Sequence, residues 1–279
     1  MLFRSVAKAA AFVSWLMLRM GWRWVFFATS VPAFVIALAW WVFSTNTPRQ
    51  HRFVNQAELA ITNSDPEKPV RKPSGFGTLL RDRKIVLLCV SYVAEGYLLF
   101  IFVFWLYMYL VDVRGFSMMN GGLVAALPWL TGLAFTPLGG FVADHIAGRR
   151  GRLSAAKYII MTSYILSGVL LFVAAYAPQR RWCVAALCLS VGFLMAAEAS
   201  FWVSATYLAG DRAGAVCGLM NTAGIVGGIV STSLIPILVA RFNWLVAFGS
   251  GTMVAVACVS LWIIIAEEPV REKLQKEES

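Results

Sequence analysis

The chain has 279 residues, of which 59% are hydrophobic and 14% are charged, and its formal net charge is +10. Soluble domains carry about a quarter charged residues, so this composition excludes an ordinary water-soluble protein. The basic residues are not interleaved with stacking residues outside the apolar runs, which excludes a nucleic-acid surface. All five cysteines fall in apolar runs without a CxxC pair, so we predict no disulfide framework, no metal site and no cofactor.

Apolar runs long enough to cross a bilayer recur along the chain. A hydrocarbon core about 30 Å thick requires about 20 helical residues. This length predicts seven spans, near residues 22–43, 85–111, 119–144, 155–177, 183–208, 213–240 and 244–266. A shorter apolar run near 9–20 adds an eighth segment if it is counted. The predicted fold class is therefore all-α, a polytopic membrane helical bundle.

The stretch 44–84 differs from the spans on either side because it is polar, basic and interrupted by prolines. It predicts a loop with one short amphipathic helix around Glu58–Leu59. If this loop is cytoplasmic and the spans alternate, eighteen of the 24 Lys and Arg residues lie on the cytoplasmic side. This asymmetry predicts a multi-pass protein of the cell inner membrane or plasma membrane with both termini in the cytoplasm, where basic residues also meet anionic lipid.

Two acidic residues, Glu95 and Glu198, lie well inside predicted spans. An ionised carboxylate at mid-depth costs about 2.5–3.5 kcal/mol on insertion scales, so it should face a cavity or a partner. One hypothesis is that one or both glutamates bind and release protons. The alternative is a hydrogen-bonded glutamate that only joins helices. Tyr92 lies three residues before Glu95 and shares its helix face.

Glycines are frequent in two of the spans, and small residues allow helix backbones to approach closely in lipid. The glycines of the 119–144 span end in the motif "GGFVADHIAGRRGR", residues 139–152. A carboxylate such as Asp144 at a helix end can interact with the positive end of a neighbouring helix dipole, and the arginines can pair with it or with lipid phosphates. The alternative is that these arginines only set the topology.

Several motifs occur in the same order as in one transporter family. They are "GWRWVF" (21–26), "TPRQHRFVNQAELAI" (47–61), "FWLYMYL" (104–110), "SFWVSA" (200–205) and "GLMNTAGIVGG" (218–228). With these motifs the chain resembles the major facilitator superfamily, and within it the anion:cation symporter branch, which carries organic anions. Tyr107 stands where that branch often has a proline. The resemblance implies a partial major facilitator fold with a complete C-terminal six-helix half.

The resemblance also implies a domain organisation. It assigns 1–43 to a remnant of the N-terminal half (helices five and six) and 44–84 to the central cytoplasmic loop. It assigns 85–266 to the C-terminal six-helix half and 267–279 to a cytoplasmic tail. The chain would then begin within helix five and would lack four helices in which the family carries arginine and acidic residues that grip the anion. We expect a truncated form of a longer carrier that requires those helices.

Candidate residues follow from the same resemblance and from the buried acids. The substrate pathway is expected to include Tyr92, Glu95, Tyr97, Glu198, Trp202 and Asn221. The 139–152 motif resembles the family's cytoplasmic loop motif, which latches that side while the site opens outward. The residues that match it are Gly140, Asp144, Arg149 and Arg150, while His145 replaces an arginine.

The predicted function is a secondary active transporter, or a fragment of one, that moves a small organic anion such as a sugar acid or carboxylate, coupled to protons, by rocking-type alternating access. The expected partners are this anionic substrate, a coupling proton or sodium ion, and membrane lipid. One alternative is a non-transporting membrane sensor or scaffold that uses the 44–84 loop. Another is an integral-membrane enzyme, which the sequence disfavours because His51 and His145 lie in different loops without a nearby ligand set.

Overall fold

The computed structural model of the chain describes residues 16, 19–45, 50–61 and 76–265. These residues form helices, turns and irregular segments and contain no strand, so the described part of the chain is all-α. Seven of the described helices are long and apolar enough to cross a membrane, which confirms the seven long spans predicted from the sequence. The chain divides into two compact units, Met1–Lys72 and Pro73–Ser279.

The N-terminal unit contains two described helices, α1 (Trp22–Phe43) and α2 (Gln56–Ile61). None of the residues of α1 is buried, although the helix is strongly apolar. Such a surface is compatible with lipid but not with water. Helix α2 confirms the short helix predicted around Glu58–Leu59. The predicted short span near 9–20 falls, apart from residues 16, 19 and 20, outside the described residues.

The C-terminal unit begins with a short helix and continues with six long antiparallel helices. They are α3 (Phe76–Leu79), α4 (Arg83–Val113), α5 (Met118–Arg150), α6 (Arg152–Tyr176), α7 (Arg180–Ala209), α8 (Ala213–Arg241) and α9 (Trp244–Ile265). Helices α4, α6 and α8 begin at the end of the bundle that carries Arg149, called the Arg149 end below. Helices α5, α7 and α9 begin at the opposite end, called the Arg114 end.

Local sequence explains where several of these helices begin and end. The Asp82 side chain caps α4 by accepting a hydrogen bond from the Lys84 amide at 2.9 Å. Helix α5 continues six residues beyond the end of the span predicted at 144, because Arg149 and Arg150 occupy its last turn, where basic side chains favour the helix dipole. Gly151, with a φ of 85°, ends α5 and is the only residue between α5 and α6.

Helix α4 is not a regular α-helix over its whole length. Its second half contains two π-helical stretches, Ile101–Trp105 and Tyr109–Val113, separated by the α-helical Leu106–Met108. A π-helical turn widens the backbone by shifting its hydrogen bonds to the fifth residue along the chain, and such turns are frequent at functional sites. The sequence pattern gives no indication of these two turns.

Glycines bring helix backbones into direct contact at two crossings. A Cβ atom on Gly96 of α4 would overlap the carbonyl group of Gly224 on α8, and a Cβ atom on Gly139 of α5 would overlap the backbone of Ala196 on α7. Close approach through small residues stabilises helix pairs in lipid, because the hydrophobic effect does not drive helices together there. Gly140, directly beside Gly139, has open space where a Cβ atom would lie.

Aromatic rings from four helices pack together in the middle of the bundle. Phe201 on α7 is fully buried, and its ring centroid lies 5.1 Å from that of Tyr92, 5.9 Å from that of Tyr164 and 5.7 Å from that of Trp262. All three pairs have the edge-to-face orientation that aromatic rings prefer. This aromatic cluster joins α4, α6, α7 and α9.

Candidate functional site

The side chain of Glu198 on α7 is held in place by two hydrogen-bond donors. The Tyr92 hydroxyl on α4 donates to Oε1 of Glu198 at 2.8 Å, and the Trp202 indole Nε1 donates to the same oxygen at 2.6 Å. Trp202 lies one turn after Glu198 on the same helix, while Tyr92 reaches it from a neighbouring helix. Oε1 is therefore saturated, and the orientation of the carboxyl group is fixed.

Glu95 lies one turn after Tyr92 on α4 and is 4% exposed. Tyr92, whose hydroxyl bonds Glu198, lies three residues before Glu95, so the two acids lie on the same side of the contact between α4 and α7. Oε1 of Glu95 and Oε2 of Glu198 are both shielded from solvent, and neither has a hydrogen-bond partner among the described residues. Each acid therefore carries a buried oxygen that is free to accept a proton or a ligand.

The position of Tyr92 depends on the crossing between α4 and α8. Gly224 on α8 lies against the Tyr92 ring, and a Cβ atom there would come 2.9 Å from Cε1 of that ring. On its other side the ring packs against Phe201 at 5.1 Å and Trp202 at 6.2 Å between centroids. The absence of a side chain at Gly224 thus allows Tyr92 to reach Glu198.

Two further predicted pathway residues lie apart from the carboxyl pair. Tyr97 is buried and its hydroxyl forms a 2.7 Å hydrogen bond with Oγ of Ser250 on α9. Asn221 lies on an exposed face of α8. The structure therefore groups four of the six predicted pathway residues, Tyr92, Glu95, Glu198 and Trp202, and leaves Tyr97 and Asn221 outside this group.

Sequence reasoning missed two ionisable neighbours of the acids. Tyr164 on α6 and Cys258 on α9 are both fully buried, and the charge of Glu95 interacts with each of them. The Tyr164 hydroxyl has no hydrogen-bond partner among the described residues. Both residues lie in the middle of apolar runs, so no pattern in the sequence distinguishes them from ordinary core residues.

The surroundings of the acids determine what they can bind. The described groups whose charges interact with the pair are tyrosines and a cysteine, and none is basic. Over the described ranges no group of three or more His, Cys, Asp and Glu residues has the arrangement of a metal site. The arrangement can accept a proton or a hydrogen-bond donor, but it repels the carboxylate of an anionic ligand.

The residues of the predicted latch lie at the Arg149 end of the bundle. Gly140 and Asp144 line a cavity of about 310 Å³ between α5, α6 and α7. Its wall consists mainly of small side chains, and Arg152 at the start of α6 also contributes to it. Asp144 is exposed and lies within α5, not at a helix end as the motif suggested, because the helix continues to Arg150.

Arg149 and Arg150 are exposed in the last turn of α5. The guanidinium carbon of Arg150 lies 5.1 Å from the centroid of the Tyr158 ring on α6, a cation–π distance. The structure therefore brings Gly140 and Asp144 to one cavity and directs Arg150 to the neighbouring helix.

A second polar cluster, which the sequence did not suggest, lies at the Arg114 end. Nε of Arg114 donates to the Tyr109 hydroxyl at 2.8 Å, and Nη1 donates to the Ala177 carbonyl at 2.6 Å. Nη2 donates to the carbonyls of Ala174 and Ala175. These carbonyls belong to the C-terminal end of α6, where they have no partner within the helix. We call Arg114, Tyr109 and these carbonyls the Arg114 clasp.

The fold and the site together define a class of protein. Six antiparallel apolar helices that enclose two neighbouring carboxyl groups are the architecture of a polytopic membrane protein with an ionisable interior. Residues 5–232 match the model of the Major Facilitator Superfamily. The chain belongs to this transporter family, and this membership excludes the integral-membrane enzyme considered from the sequence.

Several curated transporters are similar to the chain. The hexuronate transporter of Bacillus subtilis is 28% identical over 214 residues, which cover 74% of this chain and 49% of that protein. The probable galactarate/D-glucarate transporter GudP of Bacillus subtilis is 26% identical over 95% of this chain and 61% of its own length. The probable sulfoacetate transporter SauU of Cupriavidus necator is 29% identical over 79% of this chain and 52% of its own length.

These relatives are consistent with the anion:cation symporter branch that the motifs resemble. The chain spans about half of the length of the curated relatives it matches. Among solved structures, a bacterial homologue of the human lysosomal transporter Spinster, in an inward-facing and unoccupied conformation, matches with a TM-score of 0.48 and 15% identity. That match covers 92% of this chain and 63% of the solved chain.

Proposed function

We propose that the chain forms part of a secondary active transporter that moves a small organic anion, such as a sugar acid or carboxylate, together with protons. The observation that carries this proposal is that Glu95 and Glu198 each have a solvent-shielded oxygen without a partner among the described residues, within a bundle of the Major Facilitator Superfamily. The relatives named above are a hexuronate transporter and two proteins named as probable transporters, of galactarate/D-glucarate and of sulfoacetate, and all of these compounds are organic anions. An ionisable pair inside the bundle supplies a site at which the uptake of an anion can be linked to a cation.

The proposed mechanism is alternating access, in which one half of the transporter rocks against the other around a central site. The chain contributes one half of that site. In this proposal Glu198, Tyr92 and Trp202 form a fixed hydrogen-bonding wall, and Tyr97 and Asn221 offer a hydroxyl and an amide further along the pathway. The substrate carboxylate binds away from Glu95 and Glu198, because like charges in a poorly solvated site repel.

The latch is also a proposal. Asp144 would accept hydrogen bonds from, or pair with, a partner that enters the cavity at the Arg149 end when that side closes. Gly140 leaves room for the partner because it has open space in place of a side chain. Arg149 and Arg150 would hold the corner between α5 and α6 at the lipid headgroups.

The proposed orientation places the Arg149 end in the cytoplasm of a plasma or inner membrane, with both termini on that side. The C-terminal unit has eight described basic residues at this end and four at the other. Those at the Arg149 end are Arg81, Arg83, Lys84, Arg149, Arg150, Arg152, Lys157 and Arg212; those at the other end are Arg114, Arg180, Arg181 and Arg241. Such an excess of basic residues is typical of the cytoplasmic side.

Uptake measurements test the proposal. Vesicles would contain either this chain or the reading frame extended upstream, and labelled hexuronate, glucarate, galactarate and sulfoacetate would be offered with an imposed pH gradient. We expect accumulation of at least one anion, lost when a protonophore collapses the gradient. The Glu95→Gln and Glu198→Gln variants should lose pH-driven accumulation, while Asp112→Asn, an exposed acid outside the site, should retain it.

Two outcomes would contradict the proposal. Folded protein in the membrane that accumulates none of these anions in either form would favour the sensor or scaffold alternative. Full pH-dependent uptake by both glutamine variants would remove the carboxyl pair from the coupling mechanism.

A further inference from the structure

Buried Glu95 and half-buried Glu198 differ in how their oxygens are paired. Glu198 receives two hydrogen bonds on Oε1, from Tyr92 and from Trp202, while its Oε2 has no partner among the described residues. Glu95 has an unpartnered Oε1 and is 4% exposed. An unpaired oxygen in such a place is costly unless a proton or another donor occupies it.

No described basic group compensates the charge of the pair. The described ionisable groups that interact with the acids lie on three helices. They are Tyr92 on α4, Tyr164 on α6 and Cys258 on α9. All three are weak acids that are neutral when protonated and negative when ionised, so none can supply a positive charge. Two neighbouring carboxyl groups in an apolar interior cannot both stay ionised without a cation between them.

We infer that Glu95 and Glu198 form a carboxyl pair that holds one proton between them, with Glu95 as its usual carrier, inside the C-terminal unit alone. Donors on a carboxylate oxygen favour its ionised form, and Glu198 has two of them whereas Glu95 has none among the described residues. Glu198 is therefore the fixed charge of the pair and Glu95 the member that gains and loses the proton. This inference deepens the proposed function, because it places the coupling ion, but proton binding can be measured without transport.

The chemistry of the surroundings selects a proton over a sodium ion. Metal cations that prefer oxygen ligands are coordinated by about six oxygen atoms. The pair and the Tyr164 hydroxyl offer few oxygens, and the nearby Trp202 Nε1 is a donor that cannot bind a cation. The adjacent Phe201 ring fills the space between Tyr92, Tyr164 and Trp262 with apolar surface. A proton needs only one of the two unpaired oxygens.

Infrared difference spectroscopy of the purified full chain tests the inference, because protonated and ionised carboxyl groups absorb at separate frequencies. At neutral pH we expect the wild type to show one buried protonated carboxyl group per chain, which disappears in a single one-proton step as the pH rises. Glu95→Gln should remove this signal, since the remaining Glu198 keeps its two donors. Glu198→Gln should retain a protonated carboxyl signal at a shifted frequency, and the exposed-acid control Asp112→Asn should leave the signal unchanged.

Other outcomes would overturn the inference. These are a wild type without a buried protonated carboxyl group at neutral pH, a signal that persists in Glu95→Gln, or a wild-type signal abolished by sodium at constant pH. If Glu95→Gln does not fold, the wild-type titration and the Glu198→Gln spectrum still decide. Failure of anion uptake with an intact one-proton titration would contradict the proposed transport function but not this inference.

Discussion

Two polar clusters in the C-terminal unit, the Arg114 clasp and the carboxyl pair, both include residues of α4 but differ in how completely their atoms are paired. In the clasp, Arg114 reaches the Tyr109 hydroxyl and three backbone carbonyls, so each of its nitrogens has a partner. In the carboxyl pair, one oxygen of each acid has no partner among the described residues.

The difference distinguishes buried polar groups that stabilise the structure from buried polar groups that can bind a ligand. A saturated cluster stabilises the ends of helices and has no capacity left for a ligand. An incompletely paired cluster lowers the free energy of unfolding. Such clusters occur where a proton or a substrate completes the pairing. Substitutions in the two clusters should therefore have effects of different kinds.

Arg114→Ala should cause the largest loss of stability. It leaves the Tyr109 hydroxyl and the last carbonyls of α6 without their donor, which should cost about 3 kcal/mol. Unfolding of the purified chain in detergent measures this loss. The control Arg181→Ala removes an exposed arginine whose hydrogen bond goes to exposed Gln179, and it should change stability little. Equal stability of the two variants would show that the clasp does not hold the helices.

Gly224→Ala should destabilise the carboxyl pair through Tyr92. The added Cβ atom would lie 2.9 Å from the Tyr92 ring, so the ring must move away from Glu198 or the crossing of α4 and α8 must open. Overpacking of this kind costs about 1–3 kcal/mol. Gly218→Ala on the same helix is the matched control, because a Cβ atom there meets nothing within 4 Å. Thermal unfolding should separate the two variants, and indistinguishable midpoints would contradict the proposed tight crossing.

Tyr92→Phe should have a smaller effect than Gly224→Ala. It removes one of the two donors to Oε1 of Glu198 but keeps the ring and its packing, so the expected cost is about 1 kcal/mol. In the infrared measurement the frequency of the carboxyl pair should shift. Tyr176→Phe changes an exposed hydroxyl at the end of α6 and should affect neither quantity. A Tyr92→Phe spectrum identical to the wild type would exclude the bond as a determinant of the pair.

Asp144→Asn should have the smallest effect on stability, because the side chain is exposed. If Asp144 is the latch, loss of its charge shifts the equilibrium between the two access states by about 1 kcal/mol or less, hence up to about fivefold. The labelling rate of a cysteine introduced at Ala143, which lines the same cavity, reports this shift. Asp112→Asn serves as the control acid at the opposite end, and equal labelling rates in the two variants would remove Asp144 from the latch.

The sequence predicted the spans well, because crossing a bilayer imposes a length of apolar helix that composition alone reveals. It also placed Glu95 and Glu198 at depth by residue counting. That Tyr92 would bond Glu198 was not predictable, since the contact depends on the rotation of two helices about 100 residues apart in the chain. Gly139 and Gly140 illustrate the same limit: they are identical neighbours, but only at Gly139 would a Cβ atom overlap another helix.

Charged residues near helix ends were the hardest to interpret. Arg114 counted in the sequence only as a charge on the less basic side, although in the structure it completes the C-terminal end of α6. The arginines after Asp144 suggested a loop, yet they form the last turn of α5 and leave Gly151 alone to make the corner. In both cases a basic side chain interacts with the end of a helix. Tertiary packing determines which helix end it meets.

The two π-helical stretches of α4 flank Tyr107, the residue that stands where related transporters often have a proline. A proline loosens a helix by deleting an amide donor and clashing with the preceding turn. The wide π-helical turns also weaken the backbone hydrogen bonds of the helix, but they keep every amide donor. We therefore expect α4 to bend near the Arg114 end without an imino acid, through backbone geometry that side-chain packing can tighten or release.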